Sequence, residues 1–143
     1  MADWKKGTHI LFAVLLCTAA LAVTAAHDRL AAQSHALEIV GTQRTTHLTQ
    51  SLTFRPKAAQ SRLTELRVRS GSLAIHLEAV EIVFADGTVQ RTILQLGLPP
   101  GHQSPPIRVK TQDTIREILV TKRPGMRQGA TTLQLLGKVI RAR

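Results

Sequence analysis

Tyrosine is absent from this chain of 143 residues, tryptophan occurs once, at Trp4, and there are three phenylalanines. Proteins that hold single-stranded nucleic acid or sugars use stacked rings, and beyond residue 26 only Phe54 and Phe84 offer one. Cysteine is nearly missing as well. The single one, Cys17, lies in an apolar run near the N-terminus, so no intramolecular disulfide can form and no thiol nucleophile follows it. Carboxylates are scarce: nine Asp and Glu stand against 19 Lys and Arg. Glu78 and Glu81 are three apart on a stretch that reads as a strand, which sends them to different faces rather than to the two sides of one scissile bond. No serine sits in a nucleophile-elbow context. No residue is thus a candidate for catalysis, no cofactor is expected, and the chain reads as a non-enzyme.

What is present begins with an export signal. Lys5 and Lys6 precede an uncharged run from Ile10 to Ala26, closed by small residues, so that Val23 and Ala25, or Thr24 and Ala26, fill the positions a signal peptidase reads. Residues 1–26 are expected to be a signal peptide. The other reading is an uncleaved membrane anchor through residues 10–26, since about 17 residues suffice to span a bilayer. In both, the lysines stay cytoplasmic and the remainder crosses. Lipidation at Cys17 is disfavoured by Leu16, where a small residue is wanted. The expected location is periplasmic or secreted; the alternative is an inner-membrane anchor with the domain outside the cytoplasm.

Cleavage after Ala26 leaves 117 residues, with 17 Lys and Arg against 8 Asp and Glu once Lys5, Lys6 and Asp3 are removed, a net charge of +9 with neutral histidines. That length builds one ordinary core and no second domain. Residues 27–36 read as a polar lead-in. From 37 to 143, short runs rich in Leu, Ile, Val and Thr recur between Gly, Pro, Asp and Ser, the pattern of a single antiparallel β-sandwich. Strands are expected at 37–41, 50–55, 63–69, 72–84, 88–96, 106–110, 115–122 and 131–140.

Several details follow from alternation. Leu66 and Val68 take one face of their strand, Glu65, Arg67 and Arg69 the other. Leu73, Ile75 and Leu77 are out of phase with Val80, Ile82 and Phe84, which predicts a β-bulge near Glu78 and Ala79. Asp86-Gly87 predicts a type I′ hairpin with Phe84 opposite Val89 and Val80 opposite Ile93. Arg91 then shares a face with Ile82, so that either it lies at the sheet margin or the loop is one residue longer and the register differs. The expected core is Leu66, Val68, Leu73, Ile75, Leu77, Val80, Ile82, Phe84, Val89, Ile118, Val120, Leu133 and Leu135. Residues 98–106, with four prolines, read as irregular.

The placing of Gly41 at the close of the first strand, the run LTELRVRSG, the Asp86-Gly87 turn and the C-terminal RPGMRQGATTLQLLG carry a resemblance. From about Gly41 to Gly137 the chain resembles the YaaI-like family of small exported all-β bacterial proteins of unknown function. Relatives of that kind often carry a tryptophan in the first strand and an aromatic-plus-arginine pair in the penultimate one. Here Leu37 or Glu38, and Thr121 with Lys122, stand in those places. The resemblance implies export and a compact β-fold, and lends no catalytic residue.

The basic residues are the main functional signal. Arg67 and Arg69 share one strand face, as do Arg108 and Lys110 three strands later; if the strands are neighbours, they form a cationic patch. Lys122, Arg123 and Arg127 surround the Pro124-Gly125 turn and would extend it. These seven are the expected contacts for an anionic envelope polymer, lipid head groups or an acidic protein partner, with nucleic acid not expected in an exported chain. The other reading of the same residues is a solvated face with paired arginines. A second hypothesis uses His27: as a mature N-terminus it would offer amine and imidazole to copper or another metal, with His35, His47, His76 or His102 as partner. No His-x-His or Asp-x-His pair supports it, and scattered surface histidines are the plainer reading.

Overall fold

Runs of Val, Ile, Leu and Thr with alternating exposure build the strands of the domain. The computed structural model describes residues 36–125 and 128–141. They form β1 (Glu38–Thr46), β2 (Ser51–Phe54), β3 (Leu63–Ser70), β4 (Ile75–Phe84), β5 (Val89–Leu98), β6 (Ile107–Arg108), β7 (Ile115–Lys122) and β8 (Ala130–Val139), with a 3-10 turn at Ala58–Gln60. The described residues are all-β, in two four-stranded antiparallel sheets ordered β1-β8-β3-β6 and β2-β7-β4-β5. Successive strands change sheet at every connection except the β4–β5 hairpin, which is the strand order of a jelly roll. The expected signal segment, and the lead-in through residue 35, lie outside the described residues. Among the described residues no helix is long and apolar enough to cross a membrane.

One core lies between the inner faces, with Phe54, Leu52, Ile118 and Val120 from the β2-containing sheet meeting Leu63, Leu66, Val68, Leu133 and Leu135 from the other. Ten of the expected core residues, Leu66, Val68, Leu77, Val80, Ile82, Phe84, Ile118, Val120, Leu133 and Leu135, are buried. Leu73 and Ile75 are only half-buried. Val89 is 55% exposed, which corrects the expectation.

The hairpin explains Val89. Phe84 N donates to Thr88 O at 2.9 Å and Gly87 N to Phe84 O at 3.0 Å, closing a loop of Ala85, Asp86 and Gly87. Of these only Gly87 has positive φ, at 90°, so the turn is type I followed by a left-handed glycine, not type I′. Asp86 Oδ1 fixes it by accepting from Thr88 N at 2.9 Å and Thr88 Oγ1 at 2.7 Å. Those bonds hold the Asp86 carboxyl below its usual range. The longer loop shifts the register by one: Val89 opposes Val83, Gln90 opposes Ile82, and Arg91 opposes Glu81 on the outer face. Ile93 pairs with Ala79, and Val80 with Thr92, in place of the expected Val80–Ile93 pair.

The expected bulge is present, as a register shift between Leu77 and Ala79 against both neighbours of β4. Gly41 does not close β1. It sits inside the strand, next to a register shift between Ile39 and Gly41, and a Cβ there would lie 2.7 Å from Phe54 Cδ1. The glycine makes room for that buried ring, and β1 continues to Thr46 with Thr42, Arg44 and Thr46 turned to solvent. Finally, residues 99–106 run along the edge of β3. Ser104 N donates to Val68 O at 2.7 Å, and Val68 N to Ser104 Oγ at 3.0 Å, so this edge is covered despite the prolines.

Candidate functional site

Alternation in β3 sends Leu66 and Val68 inward and leaves Glu65, Arg67 and Arg69 on the outer face. Register carries that face across the sheet. Glu65 lies between Lys138 of β8 and Arg108 of β6, Arg67 opposes Leu136, and Arg69 opposes Gln134, whose other neighbour is Thr42 of β1. Arg44 opposes Thr132 on the same face. Five cations (Arg44, Arg67, Arg69, Arg108 and Lys138) therefore share an outer face with one carboxylate, Glu65.

Glu65 is held by two of them: Arg67 Nε donates to Oε1 at 2.8 Å, and Lys138 Nζ to Oε2 at 3.0 Å. Those hydrogen bonds, Lys138 first and Arg67 second, keep its carboxyl below the usual range. Arg69 Nε donates to the neutral Gln134 Oε1 at 2.8 Å. Among the described residues, Arg44 and Arg108 meet no carboxylate. The opposite sheet differs. Glu78, Glu81 and Glu117 there are matched by Arg123, Arg91 and Arg55. Arg116 of β7 meets no acid among the described residues, so both sheets carry excess positive charge, the β1-β8-β3-β6 face the more of it.

A second feature lies at one end of the sandwich, where a cavity of about 290 Å³ opens between the β1–β2, β3–β4 and β7–β8 connections. Its lining includes the buried polar residues Thr45, Lys122 and Thr131, with Leu73, Ile75 and Pro100 as apolar surface. Lys122 follows Ile118 and Val120 on the inward phase of β7 and is only 4% exposed. Its Nζ donates to Thr46 O, across in the other sheet, at 2.9 Å. Burial pushes the ammonium below the ordinary lysine range. His76 lines the same cavity, and its Nε2 is buried without a hydrogen-bond partner among the described residues.

No family model and no curated protein matches the chain. Among solved structures, likenesses occur to a chain of infectious bursal disease virus Gx strain (15% identity over 71% of this chain and 30% of that one, TM-score 0.36) and to one of the Gt strain (14%, 73% and 32%, TM-score 0.33). A third is to an agarase, at 12% identity over 75% of this chain and 22% of that one, TM-score 0.35. The chain thus corresponds to less than a third of each of these proteins, and at such scores none of them bears on function.

Of the seven expected basic contacts, Arg67, Arg69 and Arg108 come together, because β3 and β6 are neighbours as the patch required. Arg67 and Arg69 are half-buried rather than fully exposed, since they lie along the sheet held by Glu65 and Gln134. Lys110 follows β6 and is exposed; its backbone N donates to Gln90 Oε1 at 2.8 Å. Lys122 is the clear correction, inside the sandwich end rather than on a surface cluster. Arg123 does not extend the patch either. It binds Glu78 Oε1 and Gln95 Oε1, both at 3.1 Å, and so ties the irregular stretch of β4 to that of β5, where Gln95 has φ 47°. Arg127 and the alternative metal residue His27 lie outside the described residues, as does His35. Among the described residues no cluster of three or more His, Cys, Asp or Glu could hold a metal ion.

Arg44 and Lys138 were missed. Arg44 alternates with Thr42 and Thr46 beyond the strand end expected at 41, and Lys138 alternates with Thr132, Gln134 and Leu136. The second signal was readable, and the first required knowing that β1 does not stop at Gly41.

Proposed function

We propose that the protein is a non-enzymatic, exported envelope binding module whose β1-β8-β3-β6 face takes extended anionic ligands. The observation that carries this reading is the collection of five cations against one carboxylate on that face, while the opposite sheet matches its acids one for one. Each basic side chain near an anionic surface contributes roughly 1 kcal/mol. An extended pleated face suits a polymer or a layer of head groups better than a small molecule. Export through residues 1–26, to the periplasm or beyond, belongs to the same proposal. The resemblance to YaaI-like exported proteins agrees with it and assigns no activity.

Elution of the full chain from immobilised heparin, used as a soluble-polyanion probe, tests the reading. Replacing Arg67, Arg69 and Arg108 by Ser should weaken binding by about two decades at low salt, from three contributions of roughly 1 kcal/mol each. Replacing Arg55, Arg91 and Arg123 by Ser removes the same formal charge from the paired sheet and should weaken it much less. Equal losses in the two triple variants would show that net charge, not the face, governs binding.

A further inference from the structure

Lys122 brings a charge into the end of the core, and the described chain does not neutralise it. A buried ammonium is ordinarily paired, because desolvation of an ion is only offset by an opposite charge and full hydrogen bonding. Here the one hydrogen bond found from Nζ goes to a carbonyl, Thr46 O. Among the described residues, six carboxylates are engaged elsewhere: Glu38 with Arg141, Glu65 with Arg67 and Lys138, Glu78 with Arg123, Glu81 with Arg91, Glu117 with Arg55, and Asp86 in its own turn. Asp113 is exposed and makes no ion pair among the described residues. An ammonium carries three donors, and among the described residues one is used.

The space beside it is of the right kind. About 290 Å³ lies at the lower limit of small-molecule sites, which run from roughly 300 Å³ upward. Leu73, Ile75 and Pro100 provide apolar contact, Thr45 and Thr131 a polar one, and Gly129 leaves the rim low. Arg123, also in the lining, adds positive potential although its guanidinium is occupied.

We propose that this end cavity is a second binding site, separate from the cationic face, for a small oxyanion, a carboxylate or phosphate, whose charge pairs with the Lys122 ammonium while any short apolar stem rests on Leu73 and Ile75. The ligand supplies the counter-charge that the described residues do not provide. A long polymer is excluded by the enclosure of the lysine, and a cation by its sign.

Calorimetric titration of the full chain with butanoate, inorganic phosphate and butylamine tests the proposal. Saturable one-site binding of butanoate is expected, and of phosphate if the natural ligand lacks a stem; either supports an oxyanion site. Lys122→Met keeps the length of the side chain and should weaken binding at least tenfold, while circular dichroism shows it folded and melting no lower than the parent at pH 7, because a buried charge has gone. Leu73→Trp keeps the ammonium, fills the space and should weaken binding as strongly. Replacing Arg55 and Arg91 by Ser, which belong to neither the face nor the cavity, should leave the titration unchanged, so that a loss in Lys122→Met is not an effect of net charge. The proposal is overturned if neither anion binds saturably, if butylamine binds as well as butanoate, or if Lys122→Met binds like the parent.

Discussion

Truncating Phe84 and Val89 separately decides between two registers of one hairpin. In the tight two-residue turn the residues face each other in the core, and both truncations would be expensive. In the three-residue loop seen here Val89 opposes Val83 on the outer surface and is 55% exposed, while Phe84 is 2% exposed. Phe84→Ala removes a buried ring and should cost about 3–5 kcal/mol. Its backbone bonds to Thr88 and Gly87 do not depend on the ring, so the turn itself survives. Val89→Ala should fall within about 0.5 kcal/mol, as for other surface changes. Urea unfolding followed by circular dichroism is the assay, since Trp4 lies outside the described fold and no tyrosine exists to report on it. With a slope of about 1.5 kcal/mol/M, the Phe84 variant loses roughly 2–3 M in midpoint and the Val89 variant under 0.5 M. Comparable losses in the two variants, or a loss below about 1 kcal/mol for Phe84→Ala, would refute the register.

Three further outcomes are expected. Gly41→Ala places a methyl against the Phe54 ring and should destabilise by about 1–3 kcal/mol in the same unfolding assay, with Phe54→Leu partly restoring it. The Glu65 carboxyl has a lowered folded-state pKa, so its contribution is complete above the usual carboxylate range and is lost as pH falls through the folded value; thermal melts between pH 6 and 2.5 should show parent and Glu65→Gln converging as pH drops. The crowded cationic face should make the parent melt higher at 0.1 M than at 0.01 M salt, where the screening length shrinks from about 30 to 10 Å, and the Arg67, Arg69, Arg108 triple Ser variant should show a smaller rise.

Strand positions were largely legible because they rest on local signals. Alternation in LTELRVRS, the phase break around Glu78 and the prolines of 98–106 each describe one stretch of backbone, and the corresponding structure follows them. Pairing was not legible. In a jelly roll all connections but one cross between sheets, so strand order is set by packing between distant segments and leaves little trace in any one of them. The same limit governs the residues that were misplaced. Lys122 has the composition of a surface cluster with Arg123 and Pro124, and only the inward phase set by Ile118 and Val120 shows that it turns into the sandwich end. Gln90 is its polar counterpart: buried on β5, it donates to Arg108 O at 2.7 Å and accepts from Lys110 N, joining the two sheets through one amide. No local pattern announces a bond between residues 18 and 20 positions apart in opposite sheets.

The distribution of charge bears on whether the excess of arginine serves more than solubility. A surface selected only to stay dissolved can spread its cations and match them with acids, as the β2-β7-β4-β5 sheet does with Arg55, Arg91 and Arg123, though not with Arg116. On the other sheet, neighbouring strands about 4.8 Å apart carry Arg67, Arg69, Arg108 and Lys138 around a single carboxylate, and like charges so placed oppose folding. The fold does not require them there. Thr42, Thr132 and Gln134 occupy positions of the same face and show that uncharged polar side chains are tolerated. Arg69 even takes a neutral partner, Gln134, where a glutamate would relieve the repulsion. If the melts show that this face weakens the domain at low salt, the uncharged side chains in the adjoining positions make the proposed attraction of an anionic ligand the reason to keep it.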